Sequence, residues 1–360
     1  MNQRSLDRAA VRRLRRGVVA STHIVRLTVG AEPLVDEVRR QFRLLRAGRA
    51  QACFIDGEWG TGKTHLLALT RRLALDEGLA TAYLNLNGQT AALNHPQRFY
   101  HLIATRVRTA EGAIGLPSLI GGWAAREDTR LALTRWAAAN SYRSELAAAV
   151  DELIRSFEKG DFAPMQAWSV VLGADLVWAD YAYKREKALG RIGDLGDLLT
   201  AVGKGGLVLE LDELETLEQL WNYRSRLGAY SILGRLTAMN HVLPFFAVTD
   251  RFGRQIDWDI SFRGTLHDPG LSQSALGFLD AWVNGRFPRL KPAPMPPAVA
   301  RTLVGEIVDL YQSCYGPLNG MPNPHEVVRE WARSPVRSPR TLIRKTIHWL
   351  DLTRDGSTGW

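Results

Sequence analysis

Gly57-Glu58-Trp59-Gly60-Thr61-Gly62-Lys63-Thr64 fits the eight-residue pattern G-x-x-x-x-G-K-[ST], and its flanks decide what the pattern means. Before it, Ala52-Cys53-Phe54-Ile55-Asp56 reads as a buried strand; after it, His65 to Leu75 sets Leu66, Leu67, Leu69 and Leu73 at helical spacing. A strand, a glycine-rich turn and a helix form the context in which such a loop wraps phosphates. The glycines let backbone N–H groups turn inward, and the helix N-terminus adds partial positive charge. The pattern therefore predicts that Gly57, Glu58, Trp59, Gly60, Thr61, Gly62, Lys63, Thr64 and His65 hold ATP or ADP. Lys63 is placed to reach the β- and γ-phosphates, and Thr64 to put its hydroxyl on Mg²⁺. The alternative is a glycine turn with an incidental lysine.

Working outward, Ala80, Ala82, Leu84 and Leu86 alternate with Thr81, Tyr83, Asn85 and Asn87, which gives a second strand and a β-α-β unit. Upstream, Leu34, Val35, Val38, Phe42, Leu44 and Leu45 describe an amphipathic helix ending near Gly48. At the start of the chain, Leu6, Ala9, Ala10 and Leu14 lie at helical spacing among Arg8, Arg12, Arg13, Arg15 and Arg16, with Gly17 as a stop. That short basic helix is either a contact to nucleic acid or a neighbouring subunit, or a solvated helix packed on the core. From Pro96 to about Lys187 the chain reads as mainly helical, with Leu146, Val150, Leu153, Ile154 and Phe157 on one stripe. Strand character returns at Leu207 to Leu211 and at Phe245 to Val248, where Pro244 is tolerable only at the strand's start. The proline-rich stretch from Arg286 to Pro297 reads as a linker into a helical tail with faces at Val299, Leu303, Ile307, Leu310 and Tyr311 and at Leu342, Ile343, Ile347 and Leu350. The expected organisation is a helical segment over 1–50, an α/β core over 51–285 with a helical insertion at about 96–200, and a helical lid over 286–360.

The 360 residues carry 46 Lys and Arg against 37 Asp and Glu, a net charge of +9 that makes polyanions such as DNA candidate partners or simply aids solubility. Cys53 and Cys314 are the only cysteines, too few for a disulfide framework or a metal knuckle, and they suit a reducing compartment. The apolar stretch from Trp168 to Tyr183 is broken by Asp175 and Asp180, and Leu207 to Leu211 is too short to span a bilayer. With no apolar signal core near Met1, the expectation is a cytoplasmic protein without a membrane segment. The histidines show no H-E-x-x-H spacing and no Gly-x-Ser-x-Gly elbow occurs, so zinc and serine-hydrolase chemistry are unsupported.

A nucleotide site of this kind needs a second half: a buried strand ending in an acid. Leu207-Val208-Leu209-Glu210-Leu211-Asp212-Glu213 supplies it, with Asp212 expected to hold Mg²⁺ and Glu213 to polarise the attacking water. Glu210 needs a partner or the sheet's edge, and Glu215 and Glu218 read as an exposed helix face. Thr249, after the strand Phe245 to Val248, is a candidate γ-phosphate sensor or a simple strand cap. Arg251 and Arg254 are each a candidate arginine finger or a surface arginine. Ser338-Pro339-Arg340-Thr341 opens the last helix in capping style and makes Arg340, ahead of Arg344, the candidate to fold back on the γ-phosphate.

In order, Arg15-Arg16-Gly17-Val18, Thr28-Val29-Gly30-Ala31-Glu32, Phe54 to Thr64, Leu209 to Glu215 and Pro339 to Arg344 resemble the ATP-binding protein family of BREX-type phage-defence systems. The resemblance implies a three-layer α/β P-loop NTPase core of the AAA+ kind with a helical insertion and a C-terminal lid. It further implies ATP hydrolysis, homo-oligomers, and work beside a helicase or DNA-modification partner. It suggests that Val29 and Gly30 border the adenine, with Ala31 replacing an arginine often found there. A nucleotide-dependent interaction switch with little turnover is the competing function. A small-molecule kinase lacks an acceptor lid, and a lone helicase lacks a second motor domain.

Overall fold

In the computed structural model, residues 2–87, 93–160, 171–172, 183–220, 222–318 and 323–356 are described. The apolar stretch from Trp168 to Tyr183 therefore lies, apart from Val171, Leu172 and Tyr183, outside the described residues. The chain begins with helices α1 (Gln3–Arg15) and α2 (Glu32–Arg46), strand β1 (Cys53–Asp56), helix α3 (Lys63–Asp76) and strand β2 (Ala80–Asn85). Helices α4 (Pro96–Arg106), α5 (Leu116–Ala124), α6 (Glu127–Asn140), α7 (Glu145–Lys159) and α8 (Tyr183–Ala201) follow. Then come β3 (Leu207–Asp212), α9 (Tyr223–Thr237), β4 (Val242–Val248), α10 (Asp250–Arg263), α11 (Gln273–Val283), β5 (Arg289–Leu290), α12 (Pro297–Tyr315), α13 (Pro324–Arg333) and α14 (Pro339–Arg354).

Two compact units interleave along the chain. The first comprises residues 1–37, 56–72 and 291–360, and the second 38–55 and 73–290. In the first unit Ala10, Val11 and Leu14 of α1 are buried in one apolar cluster with Leu303, Ile307 and Tyr311 of α12, Trp331 of α13 and Leu342 and Ile347 of α14. Polar ties fix the same packing: Arg15 donates to both carboxylate oxygens of Asp351 at 2.8 and 2.6 Å, and the Tyr311 hydroxyl donates to Asp351 at 2.7 Å. Asp7, 5% exposed, accepts from Ser313 at 2.8 Å and from Gln3 at 2.8 Å and pairs with His23 at 2.8 Å.

The second unit is built on a parallel five-stranded sheet in the order β2-β3-β4-β1-β5. Ala80 to Asn85 pair in register with Leu207 to Asp212, so the ends of β2 and β3 finish level with each other. The chain leaves β1 toward the β2 edge, yet it passes from β4 across β1 to β5. That reversal is a topological switch point, and open α/β sheets bind ligands beyond the strand carboxyl ends at such points. β1 is fixed by Phe54, a fully buried ring with the Phe246, Phe252, Phe278, Trp282 and Phe287 rings between 5.0 and 6.4 Å away. A buried ion pair joins α9 to α10: Arg226 donates to Asp259 at 2.7 and 2.8 Å, and the Tyr230 hydroxyl donates to the same carboxylate at 2.8 Å.

Three details differ from the sequence reading. The strand around Pro244 begins at Val242, so the proline sits inside it, opposite Leu209, and removes one ladder donor from a buried strand. The Arg286 to Pro297 stretch is not wholly a linker. Arg289 and Leu290 form β5 beside β1, and the Phe54 N–H donates to the Pro288 carbonyl at 2.9 Å. A two-residue edge strand is too short to show alternation, and an edge tolerates flanking prolines. Glu215 is 9% exposed instead of lying on a solvated face, because Leu214–Gln219 winds as a tight 3₁₀ turn that buries Leu214, Glu215 and Leu217 together.

Helix α9 meets α11 with backbone in contact: a Cβ built on Gly234 would lie 1.8 Å from the Ser274 carbonyl oxygen. Gly234→Ala must therefore push the helices apart, at an expected cost of about 3 kcal/mol. Thermal unfolding of the variant checks this, and an unchanged Tm would show that the helices separate freely.

Candidate functional site

In the first unit the loop from Gly57 to Gly62 joins β1 to α3, where the sequence put it. It closes on itself: the Lys63 ammonium donates to the Gly57 carbonyl at 2.7 Å and the Glu58 carbonyl at 3.1 Å, and the Thr61 hydroxyl donates to the Glu58 carbonyl at 2.8 Å. Gly60 at φ 85° and Gly62 at φ 107° take backbone shapes that side-chain residues rarely adopt. The side chain of Thr64, on the first turn of α3, is exposed.

Two further candidates reach this loop within the same unit. Trp59 is 63% exposed and has the Arg340 guanidinium 6.0 Å from its ring centre. Ser338, the N-cap of α14, lies so close that a Cβ on Gly60 would sit 3.2 Å from its Oγ. The capping box predicted at Ser338 is present: Ser338 Oγ accepts from the Thr341 N–H at 3.2 Å and Thr341 Oγ1 accepts from the Ser338 N–H at 3.2 Å. The first turn of α14 is thus rigid, and Arg340 is presented from it.

Val29 and Gly30 come to the other side of the loop through Thr28. The Thr28 hydroxyl gives its one proton to the Ile24 carbonyl at 2.6 Å, so at 2.7 Å from His65 Nε2 it must accept. His65 is therefore a neutral imidazole with its proton on Nε2, and burial pushes its pKa down to about 4. Val29 is half-buried, and Gly30, at φ 68°, leaves no room for a side chain because a Cβ would lie 2.8 Å from Val299 Cγ2.

The second unit carries the acidic candidates. Asp212, 2% exposed at the end of β3, accepts from the Tyr83 hydroxyl at 3.0 Å and from the Glu213 N–H at 3.1 Å. The Asn85 amide donates to Glu213 Oε1 at 3.5 Å. Tyr83 and Asn85 escaped the sequence reading as site residues; their alternation along β2 was visible, but the register that brings them level with β3 was not. Glu213 has φ 61° and ψ 44°, the sole non-glycine residue at positive φ among the described residues. A left-handed glutamate costs about 1 to 2 kcal/mol, and such strain concentrates where a side chain has work to do. Glu210 is wholly buried on β3, which lies between β2 and β4, so the sheet's edge is not its refuge. Thr249 ends β4, is 5% exposed, and its hydroxyl has no hydrogen-bond partner among the described residues. Although it occupies the N-cap of α10, it makes no capping bond. Arg251 pairs with Glu218 at 3.3 Å, and Arg254 is exposed. Among the described residues no three His, Cys, Asp or Glu side chains gather as a metal cage, and no helix is long and apolar enough to cross a membrane.

A glycine-rich loop after a central strand, and an acid pair closing a buried parallel strand, place the protein among α/β folds compatible with a P-loop core. Residues 3–166 match the family described as BREX system ATP-binding protein BrxC/D, so the resemblance drawn from the motifs holds over that part of the chain. The match takes in α1, Val29, Gly30 and the whole phosphate loop and ends before Asp212, Glu213, Thr249 and Arg340. No curated protein matches the chain.

Two measurements probe this geometry. The His65 pKa is below its unfolded value near 6.5, so the unfolded chain takes the proton first. Stability is unaffected by this group above about pH 6.5 and falls as pH drops from there to about 4, by on the order of 3 kcal/mol. His65→Gln is expected to flatten that part of the stability–pH curve relative to wild type, and parallel curves would refute the buried neutral imidazole. At the acidic half, Glu213→Gly should be more stable than Glu213→Ala by about 1 kcal/mol, because glycine alone relieves the left-handed backbone. Equal urea midpoints would remove the strain.

Proposed function

We propose that the protein is an AAA+ ATPase that binds ATP on the Gly57–Thr64 loop, hydrolyses it, and uses the cycle as a motor or loader on DNA or on a DNA-processing partner in anti-phage defence. The observation that carries the reading is the left-handed Glu213 beside the buried Asp212, a strained acid at the strand end where water activation requires one. Lys63, now bonded to loop carbonyls, transfers its ammonium to the β- and γ-phosphates. The N–H groups of Gly60, Thr61, Gly62 and Lys63 and the N-terminus of α3 hold the phosphate oxygens. The lack of steric room at Gly30, half-buried Val29 and neutral His65 suit an uncharged purine face better than a phosphate.

Magnesium suits the donors each unit offers taken by itself, the Thr64 hydroxyl in the first and the Asp212 carboxylate in the second, since both are hard oxygens and Mg²⁺ is commonly held by one or two carboxylates together with phosphates instead of a protein cage. Bound there it would neutralise charge on the phosphate oxygens. Glu213 orients and polarises the attacking water, and Asn85 fixes the carboxylate between turnovers. The orphan hydroxyl of Thr249 is suited to donate to a γ-phosphate oxygen, which would give a buried polar group the partner it lacks. Arg340, presented from a capped helix start beside Trp59, adds positive charge beside the Gly57–Thr64 loop. A helicase or DNA-modification component and further copies of the chain are the partners this reading assigns.

Phosphate release from ATP by wild type, Lys63→Ala and Glu213→Gln tests the proposal. Lys63→Ala is expected to lose nucleotide binding, whereas Glu213→Gln should bind ATP and turn over at least about 100-fold more slowly. Wild type that binds ATP through Lys63 with no turnover would replace the motor by a nucleotide-dependent interaction switch.

A further inference from the structure

Helix α1 and the residue that ends it carry six arginines and no lysine over Arg4 to Arg16. Two are spoken for: Arg15 is bound to Asp351, and Arg13 donates to the Val19 carbonyl at 2.7 Å. Arg4, Arg8, Arg12 and Arg16 recur every four residues, are all exposed, and have no ion pair among the described residues. One helical turn separates consecutive members, about 6 Å of rise, so their guanidiniums form a slanting row about 18 Å long. No acid lies in the first turn of α1, and its one acidic residue, Asp7, is buried against Ser313 and His23. Every neighbouring pair in the row is therefore an uncompensated like-charge pair, and Arg4 also stands at the positive end of the helix dipole. The row continues on α14: a Cβ on Gly17 would lie 3.2 Å from Arg344 Cδ, and Arg344 is exposed without an ion pair among the described residues.

We infer that this arginine row is a binding site for the phosphodiester backbone of DNA. Planar guanidiniums take phosphate oxygens in paired hydrogen bonds, and a row of them at even spacing suits a polyanion of regular charge better than a single anion. A lipid surface fits less well, because the apolar face of α1, Ala10, Val11 and Leu14, is already buried against α12 and α14 and has nothing left to insert. The row carries no base-reading side chains, so binding is expected to be indifferent to sequence. The inference rests on the proposed work on DNA and supplies the surface that would perform it.

The test measures affinity of the full chain for a short fluorescein-labelled DNA duplex and for the corresponding single strand, over a series of salt concentrations, with and without ATP. Wild type, the triple variant Arg4→Gln, Arg8→Gln, Arg12→Gln, and the corresponding triple lysine variant are compared, with ATP turnover in the absence of DNA as the control for folding. The glutamine variant should keep wild-type basal turnover and lose at least about tenfold in duplex affinity, and its log–log salt slope should fall by about 0.9 for each arginine removed. The lysine variant should keep most of that slope. Wild-type affinity and slope in the glutamine variant would overturn the inference while leaving the proposed function standing. Absence of DNA binding by wild type in every nucleotide state would overturn the inference and leave the proposed function only its action on a DNA-processing partner. Loss of binding to phosphatidylserine vesicles in the glutamine variant, with DNA binding unchanged, would reassign the row to a lipid surface and also overturn it.

Discussion

The packing around Phe54 is the constraint on which the sheet depends. Its ring lies among five others in the second unit, and this fixes β1 between β4 and β5. Truncating such a buried aromatic costs about 3 to 5 kcal/mol, a large share of a typical folding free energy. The apolar cluster that holds this strand has no chemistry of its own. On the acidic side the same job is done by hydrogen bonds: Tyr83 and the Glu213 N–H hold Asp212, and Asn85 holds Glu213.

The two units also differ in how their candidate residues are held. The loop is satisfied internally, with Lys63 bonded to two carbonyls. The acidic candidates are under tension, with a left-handed glutamate and, just after β4, a buried threonine hydroxyl without a partner among the described residues. Unpaired buried polar groups and left-handed backbone at a residue with a side chain are both expensive.

Much of this was legible because it is local. The spacing of glycines and the change from strand to helix around Lys63 located the loop; apolar alternation placed β2, and Ser338-Pro339 marked a capped helix start. Asp212 and Glu213 were found because an apolar run ends in acids. What escaped is what depends on neighbours distant in sequence. Tyr83 and Asn85 matter through their register with β3, which no pattern in β2 reveals. The burial of Glu215 follows from a 3₁₀ turn that helical periodicity misreads, and β5 is too short to have a period at all. Pro244 was discounted on a sound propensity rule that burial in the sheet overrode. The partition into two units was equally hidden, since each draws on segments on both sides of the loop.

That interleaving bears on how the protein is made. Helix α1 packs its apolar face on α12 and α14, yet nearly 300 residues separate its end from the start of α12. At about 5 to 20 residues per second, α1 waits some 15 to 60 s on the ribosome before the surface that covers it exists. Over that interval most of the second unit can fold around its own helices, while the first, with its phosphate loop, cannot close until the last helices emerge. A nascent chain that has not yet made α12 to α14 would therefore hold a folded sheet and leave the apolar face of α1 bare, a surface open to chaperones and proteases until those helices arrive.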